Sequence, residues 1–137
     1  MIESLGLQAT IELRGFVPRA DMLQALREAH LLLATHTTPE SARILIEALI
    51  CGTPIAIYTS AYPAELVREY GGAEFAPRHD WAALGDLLTA LAADHERVAQ
   101  LAAAAFRSGA KFTSDAVFAE RSNHLKRHLS PHGSANE

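Results

Sequence analysis

Two carboxylates and one guanidinium stand at regular spacing near the middle of the chain: Glu40, Arg43 and Glu47. An ionised carboxylate is a strong, acceptor-only group, so a pair of them suits the recognition of hydroxyls. The same residues also have a plain structural explanation. Thr37 and Glu40 have capping-box spacing, and an acid in the first turn favours any helix. Arg43 lies three residues after Glu40 and four before Glu47, a surface ion-pair ladder worth about 0.2–0.5 kcal/mol per pair. His36, between Thr35 and Thr37, is either a contact for a polar ligand or an ordinary loop residue. His124 and His128 have metal-ligand spacing. No third ligand is evident, and cationic groups belong near a helix C-terminus, so no metal is assigned. Cys51, beside Gly52 in an apolar run, reads as a small buried thiol. Neither a Ser-His-Asp order nor a phosphate-binding Walker loop can be read.

The elements that must position these groups follow from periodicity. Leu31–Ala34 is an apolar run of strand length, and Thr35-His36-Thr37 is polar and turn-prone. Ile44, Leu45, Ala48 and Leu49 recur as one helical face over Ser41–Cys51. Gly52 and Pro54 stop that helix, and Ile55–Tyr58 is the next strand. Upstream, Gly6 closes a helical end, Ala9–Leu13 alternates as a strand, and Gly15-Phe16-Val17-Pro18 is a loop. A helix opens at Arg19 or Asp21 and runs through Ala29, with Met22, Leu23, Leu26 and Ala29 inward. Downstream, a short helix Ala64–Tyr70 follows Pro63, which a first turn tolerates. Gly71-Gly72 stops it, and Ala73–Ala76 is a short edge strand. Helices follow from Trp81 to about Ala92, over Glu96–Ser108 with Val98, Leu101, Ala102, Ala105 and Phe106 inward and Gly109 as the stop, and over Ser114–Leu129. Residues 130–137 read as a disordered polar tail. Strand and helix alternate, which predicts an α/β fold with a parallel sheet covered on both faces. In such sheets ligands sit outside the carboxyl ends of the strands, where the loop from His36 to Ser41 falls.

Composition bounds the rest. The 137 residues suit one domain spanning 1–129, and 49% hydrophobic with 20% charged is that of a globular protein. A formal charge of −4 argues against a nucleic-acid partner. The single cysteine fits a reducing compartment, the N-terminus lacks a signal-peptide pattern, and no apolar run approaches the ~20 residues of a membrane span. A cytoplasmic location is therefore expected.

The run Ile44-Leu45-Ile46-Glu47-Ala48-Leu49-Ile50-Cys51-Gly52-Thr53-Pro54 resembles the second half of the acidic motif of the group 1 glycosyltransferases, the retaining family 4 enzymes of the GT-B fold. Gly15-Phe16-Val17-Pro18 before it and Pro63-Ala64-Glu65-Leu66-Val67 after it are similar to further family segments, in the same order. The resemblance covers Leu5 to about Leu129. It implies a Rossmann-like parallel sheet flanked by helices, part of the C-terminal, nucleotide-sugar-binding half of such an enzyme and truncated on its N-terminal side. In the family the two acids are seven positions apart, and a one-residue deletion here places Glu40 in the first role. Ser41-Ala42-Arg43 stands where members often have glycine.

The resemblance implies that Glu47 accepts hydrogen bonds from the ribose hydroxyls of a nucleotide sugar. Glu40 would be the catalytic-site acid holding hydroxyls of the transferred sugar. The amides of Ser41, Ala42 and Arg43 would face sugar or diphosphate at a helix N-terminus, His36 would touch phosphate or sugar, and the backbone of Gly15, Phe16 and Val17 would meet the base. No metal or other cofactor is implied. The partners implied are a nucleoside-diphosphate sugar and a missing N-terminal domain or partner subunit, without which transfer activity is expected to be low. The basic pair that members use on the diphosphate has no counterpart in the sequence. The alternatives are a subunit of a split transferase, a non-catalytic α/β interaction module and, more remotely, an epimerase fragment. Phe118 and Leu125 on the last helix are expected to be exposed, which favours a homo-oligomer or a partner.

Overall fold

The computed structural model describes residues 2–37 and 43–129. Three parallel strands, β1 (Leu32–Ala34), β2 (Ile55–Tyr58) and β3 (Ala73–Ala76), lie in that order across one sheet. Leu32 pairs with Ile55 and Ala34 with Ile57, then Ile55 pairs with Ala73 and Tyr58 with Ala76. Among the described residues, six α-helices surround them: α1 (Arg19–Glu28), α2 (Arg43–Cys51), α3 (Ala61–Val67), α4 (Trp81–Ala93), α5 (His95–Ala110) and α6 (Ser114–Leu129). The result is a Rossmann-like α/β arrangement.

Every residue of β2 is buried, which is why it reads as an unbroken apolar run rather than an alternating one. Its two faces enter different clusters. Ile55 and Ile57 pack with Leu26 of α1, Leu45 and Leu49 of α2, Leu66 and Val67 of α3 and Ala105 of α5. Tyr58 packs on the other side with Ala76 and Leu84 of α4. Local chemistry fixes the helix starts. Asp80 accepts from the Ala83 amide at 2.9 Å and Asp94 from the Arg97 amide at 2.9 Å, so each satisfies an amide left open at a helix N-terminus. Arg97 then reaches β3, placing Nε and Nη2 on Glu74 Oε1 at 2.9 and 2.8 Å.

Four expectations change. Ala9–Leu13 is not a strand: the amides of Thr10 and Ile11 turn back onto Leu7 O, and the segment is exposed. Alternation makes a strand only where a neighbouring strand accepts its hydrogen bonds. The helix around Pro63 begins at Ala61, so proline sits in its first turn and is buried. Phe106 is exposed, while Ala104, Ala105, Ser108 and Gly109 are buried. Gly109 therefore does not end α5 but lies inside its packed face. Ala29, expected inward, is exposed beyond the end of α1.

Thr53 shows how the α2–β2 turn is tied to α1. Its buried hydroxyl donates to Leu26 O at 2.6 Å. Thr53→Val keeps the shape and removes the donor. We expect a loss of about 1–2 kcal/mol, read as a lower urea midpoint at unchanged slope. An unchanged midpoint would mean that the hydroxyl contributes nothing net.

Candidate functional site

Connectivity puts the groups of interest at one edge. In a parallel sheet with helical returns, each helix starts at the carboxyl edge of the sheet and runs back to the amino edge. The N-termini of α1 and α2, the residues after β1 and the loop after β3 therefore gather at the carboxyl edge. Arg78, in the loop after β3, donates from Nη2 to Thr37 O after β1 and ties that edge across.

The centre of the edge is Glu47. Leu45, Ala48 and Leu49 turn α2 onto the core, and Glu47 shares that buried side at 7% exposure. An isolated buried carboxylate is costly and calls for paired charge. The pairing comes from two elements. Arg43, one turn earlier on α2, places Nε 3.2 Å from Glu47 Oε1. Arg19, the first residue of α1, places Nε at 3.2 Å and Nη2 at 3.1 Å from the same oxygen. Among the described residues no hydrogen bond reaches Oε2. The two arginine side chains are 62% and 76% exposed. One inward anion is thus roofed by two outward cations, and the cluster carries net positive charge toward solvent.

The part of the Glu40–Arg43–Glu47 ladder that is described, Arg43 with Glu47, forms as its spacing predicts. Arg19 was not singled out by sequence reasoning. It stands 28 positions from Glu47, and only the packing of α1 on α2 joins them. Its signal in the sequence was a lone basic residue opening a helix straight after Gly15-Phe16-Val17-Pro18.

The other candidates are placed as follows. Gly15 has φ 62°, and a Cβ there would meet nothing within 4 Å. Phe16 is 99% exposed, so it is not the core residue that a simple turn would use. Val17 is half-buried, and His36 is exposed just beyond β1. None of these four has a described hydrogen bond or ion pair to Glu47. Glu40, Ser41 and Ala42 lie outside the described residues, as does the tail 130–137. Cys51 is half-buried, with Sγ 3.8 Å from Leu23 O, a packing role. Among the described residues no group of three or more His, Cys, Asp or Glu could hold a metal, and no helix is long and apolar enough to cross a membrane. Two apolar hollows of about 300 and 350 Å³ lie at the opposite edge, around His30 and His95. They are remote from the Glu47 cluster, because His30 precedes β1 and His95 follows the end of α4, which has run back from β3 to the amino edge.

No curated protein matches the chain. One protein-family description does: residues 1–108 match the glycosyl transferases group 1.

Proposed function

The chain belongs to the group 1 glycosyltransferases, and from that premise we propose that its carboxyl sheet edge binds the nucleoside-diphosphate sugar donor of a retaining transferase of the GT-B type. The observation that carries this reading is the Arg19–Glu47–Arg43 cluster. A carboxylate held rigid by two guanidiniums on Oε1 presents Oε2 as a fixed acceptor for the vicinal hydroxyls of a ribose. The outward guanidinium surfaces suit a diphosphate. Transfer breaks the bond from the sugar's anomeric carbon to a diphosphate oxygen and makes one to an acceptor hydroxyl oxygen, with the acceptor proton leaving on the diphosphate. Negative charge grows on the departing nucleotide, and fixed cations lower the barrier to that step.

The remaining roles complete the proposal. Glu40 holds hydroxyls of the transferred sugar, the amides of Ser41, Ala42 and Arg43 bind the sugar or the diphosphate, and His36 contacts phosphate or sugar. The loop Gly15, Phe16 and Val17 meets the base, with the bare Phe16 ring as a stacking surface. The acceptor is supplied with its own site by a further domain or a partner subunit, in the cytoplasm where nucleotide sugars are made available. No metal or organic cofactor enters. The competing reading is a non-catalytic interaction module that keeps the fold alone.

Titration calorimetry with UDP, GDP and ADP tests this. One nucleotide is expected to bind, and Glu47→Ala to weaken it by about tenfold to a hundredfold, the worth of a charge-assisted hydrogen bond. The arginines it leaves behind are largely exposed, so neither is stranded as a buried unpaired charge, and a thermal melt of the variant separates loss of binding from loss of folding. Absence of binding by all three nucleotides would leave the interaction module as the function.

A further inference from the structure

The two arginines on Glu47 are not equivalent. Arg19 donates a hydrogen bond from Nε to Oε1 at 3.2 Å and brings Nη2 to 3.1 Å from the same oxygen. One edge of its guanidinium is thus committed to the carboxylate. Arg43 meets Oε1 as an ion pair, with Nε at 3.2 Å, and its guanidinium donates no hydrogen bond to another described residue. Its place on the helix is the weaker one too, because a cation four residues before an acid reverses the favoured order. Exposure follows the same ranking, with the Arg19 side chain at 62% and that of Arg43 at 76%. Glu47 is buried and carries one negative charge, which Arg19 alone offsets. Arg43 is therefore the surplus cation, and it can turn away without stranding a buried unpaired anion.

We propose that the two arginines have separate roles: Arg43 turns from Glu47 onto the diphosphate and sets a preference for a nucleoside diphosphate over a monophosphate, while Arg19 stays on Oε1 as a positioning residue that aims Oε2 at the ribose. This rests on the donor-binding reading above and deepens it by assigning the diphosphate to one side chain. Position supports the assignment. Arg43 stands one turn before Glu47 on α2, about 6 Å along the axis, toward the end where the helix dipole favours an anion. A ribose held by its hydroxyls on Oε2 carries its phosphates on C5′, at the opposite side of the sugar ring. A guanidinium fork matches two phosphate oxygens at once. Arrival of the nucleotide then exchanges a solvent-exposed ion pair for a charge-assisted contact, and Glu47 keeps its hydrogen-bonded partner throughout.

Titration calorimetry with UMP and UDP, GMP and GDP, and AMP and ADP at fixed ionic strength is the test. For the base that binds, the diphosphate is expected to bind about tenfold more tightly than the monophosphate. Arg43→Gln should remove most of that ratio and leave monophosphate binding nearly unchanged. Arg43→Lys keeps the charge without the fork and should restore only part of it. Arg19→Gln should weaken both ligands by one common factor, about tenfold, and keep the ratio. In a Glu47→Ala background, Arg19→Gln should have no further effect, since it acts through the carboxylate, whereas a general loss of folding would weaken binding again. A ratio unchanged in Arg43→Gln, or an Arg19→Gln effect of full size without Glu47, overturns the assignment and leaves the donor site standing. Failure of every nucleotide to bind the unaltered chain overturns the donor reading and this assignment with it.

Discussion

Gly109→Ala is expected to destabilise the chain by about 3 kcal/mol or more, one of the two largest effects of any single methyl added to it. A Cβ at Gly109 would overlap the Leu49 carbonyl of α2 and stand 2.6 Å from Ile50 N. These are backbone atoms, so no rotamer change relieves the overlap, and α5 must move off α2. Leu49 and Ala105 are both fully buried at this contact, and the shift would open the core that holds α2 in place. Glu47 rides on the same helix, so its register with Arg19 would move too. A thermal melt would show the midpoint falling by roughly 10 °C for a chain of this size. A fall of a degree or less would mean that the two helices are not in backbone contact.

Gly72→Ala is the second, with an expected cost of about 3–5 kcal/mol from two causes that add. Gly72 has φ +107°, a conformation that side chains rarely adopt. A Cβ there would also overlap Ala105 Cα and lie 2.5 Å from Ala105 N. The residue cannot turn away, because its carbonyl accepts from Ile55 N at 3.0 Å and starts the β2–β3 pairing. Gly71→Ala separates the causes. It shares a positive φ of 79°, but its Cβ would lie an ordinary 3.7 Å from Ala104 Cβ. It should cost about 1–2 kcal/mol, the left-handed penalty alone. Equal urea midpoints for the two variants would exclude a packing contribution at Gly72.

Both glycines lie at one side of α5, Gly109 within the helix and Gly72 against Ala105, and that side explains why sequence reasoning turned Phe106 inward and stopped the helix at Gly109. By size, Phe106 claims one of the inward positions. By contact, Ala104, Ala105, Ser108 and Gly109 hold them, and the Ser108 hydroxyl donates to Gly71 O at 2.7 Å. Close helix packing is decided by what can be absent from a surface as much as by what is apolar. A single sequence does not distinguish a glycine that stops a helix from one that lets another helix approach.

Elsewhere the chain declares itself. The strands at Ile55–Tyr58 and Ala73–Ala76, the parallel order, the last helix and the Asp80 cap follow from hydrophobic runs, punctuating glycines and short polar caps. All of these signals act over a few residues. The Ile44–Pro54 run likewise carried the family, since spacing along one helix and one turn is a local property. What the sequence alone determined is therefore the alternation of elements and the covered sheet. Tertiary structure decided the rest. It left Ala9–Leu13 without a strand to pair with, turned Phe16 outward, and brought Arg19 across 28 positions onto Glu47. Those outcomes depend on which surfaces meet once the helices are laid on the sheet, and contacts between segments distant in the chain leave no periodicity in it.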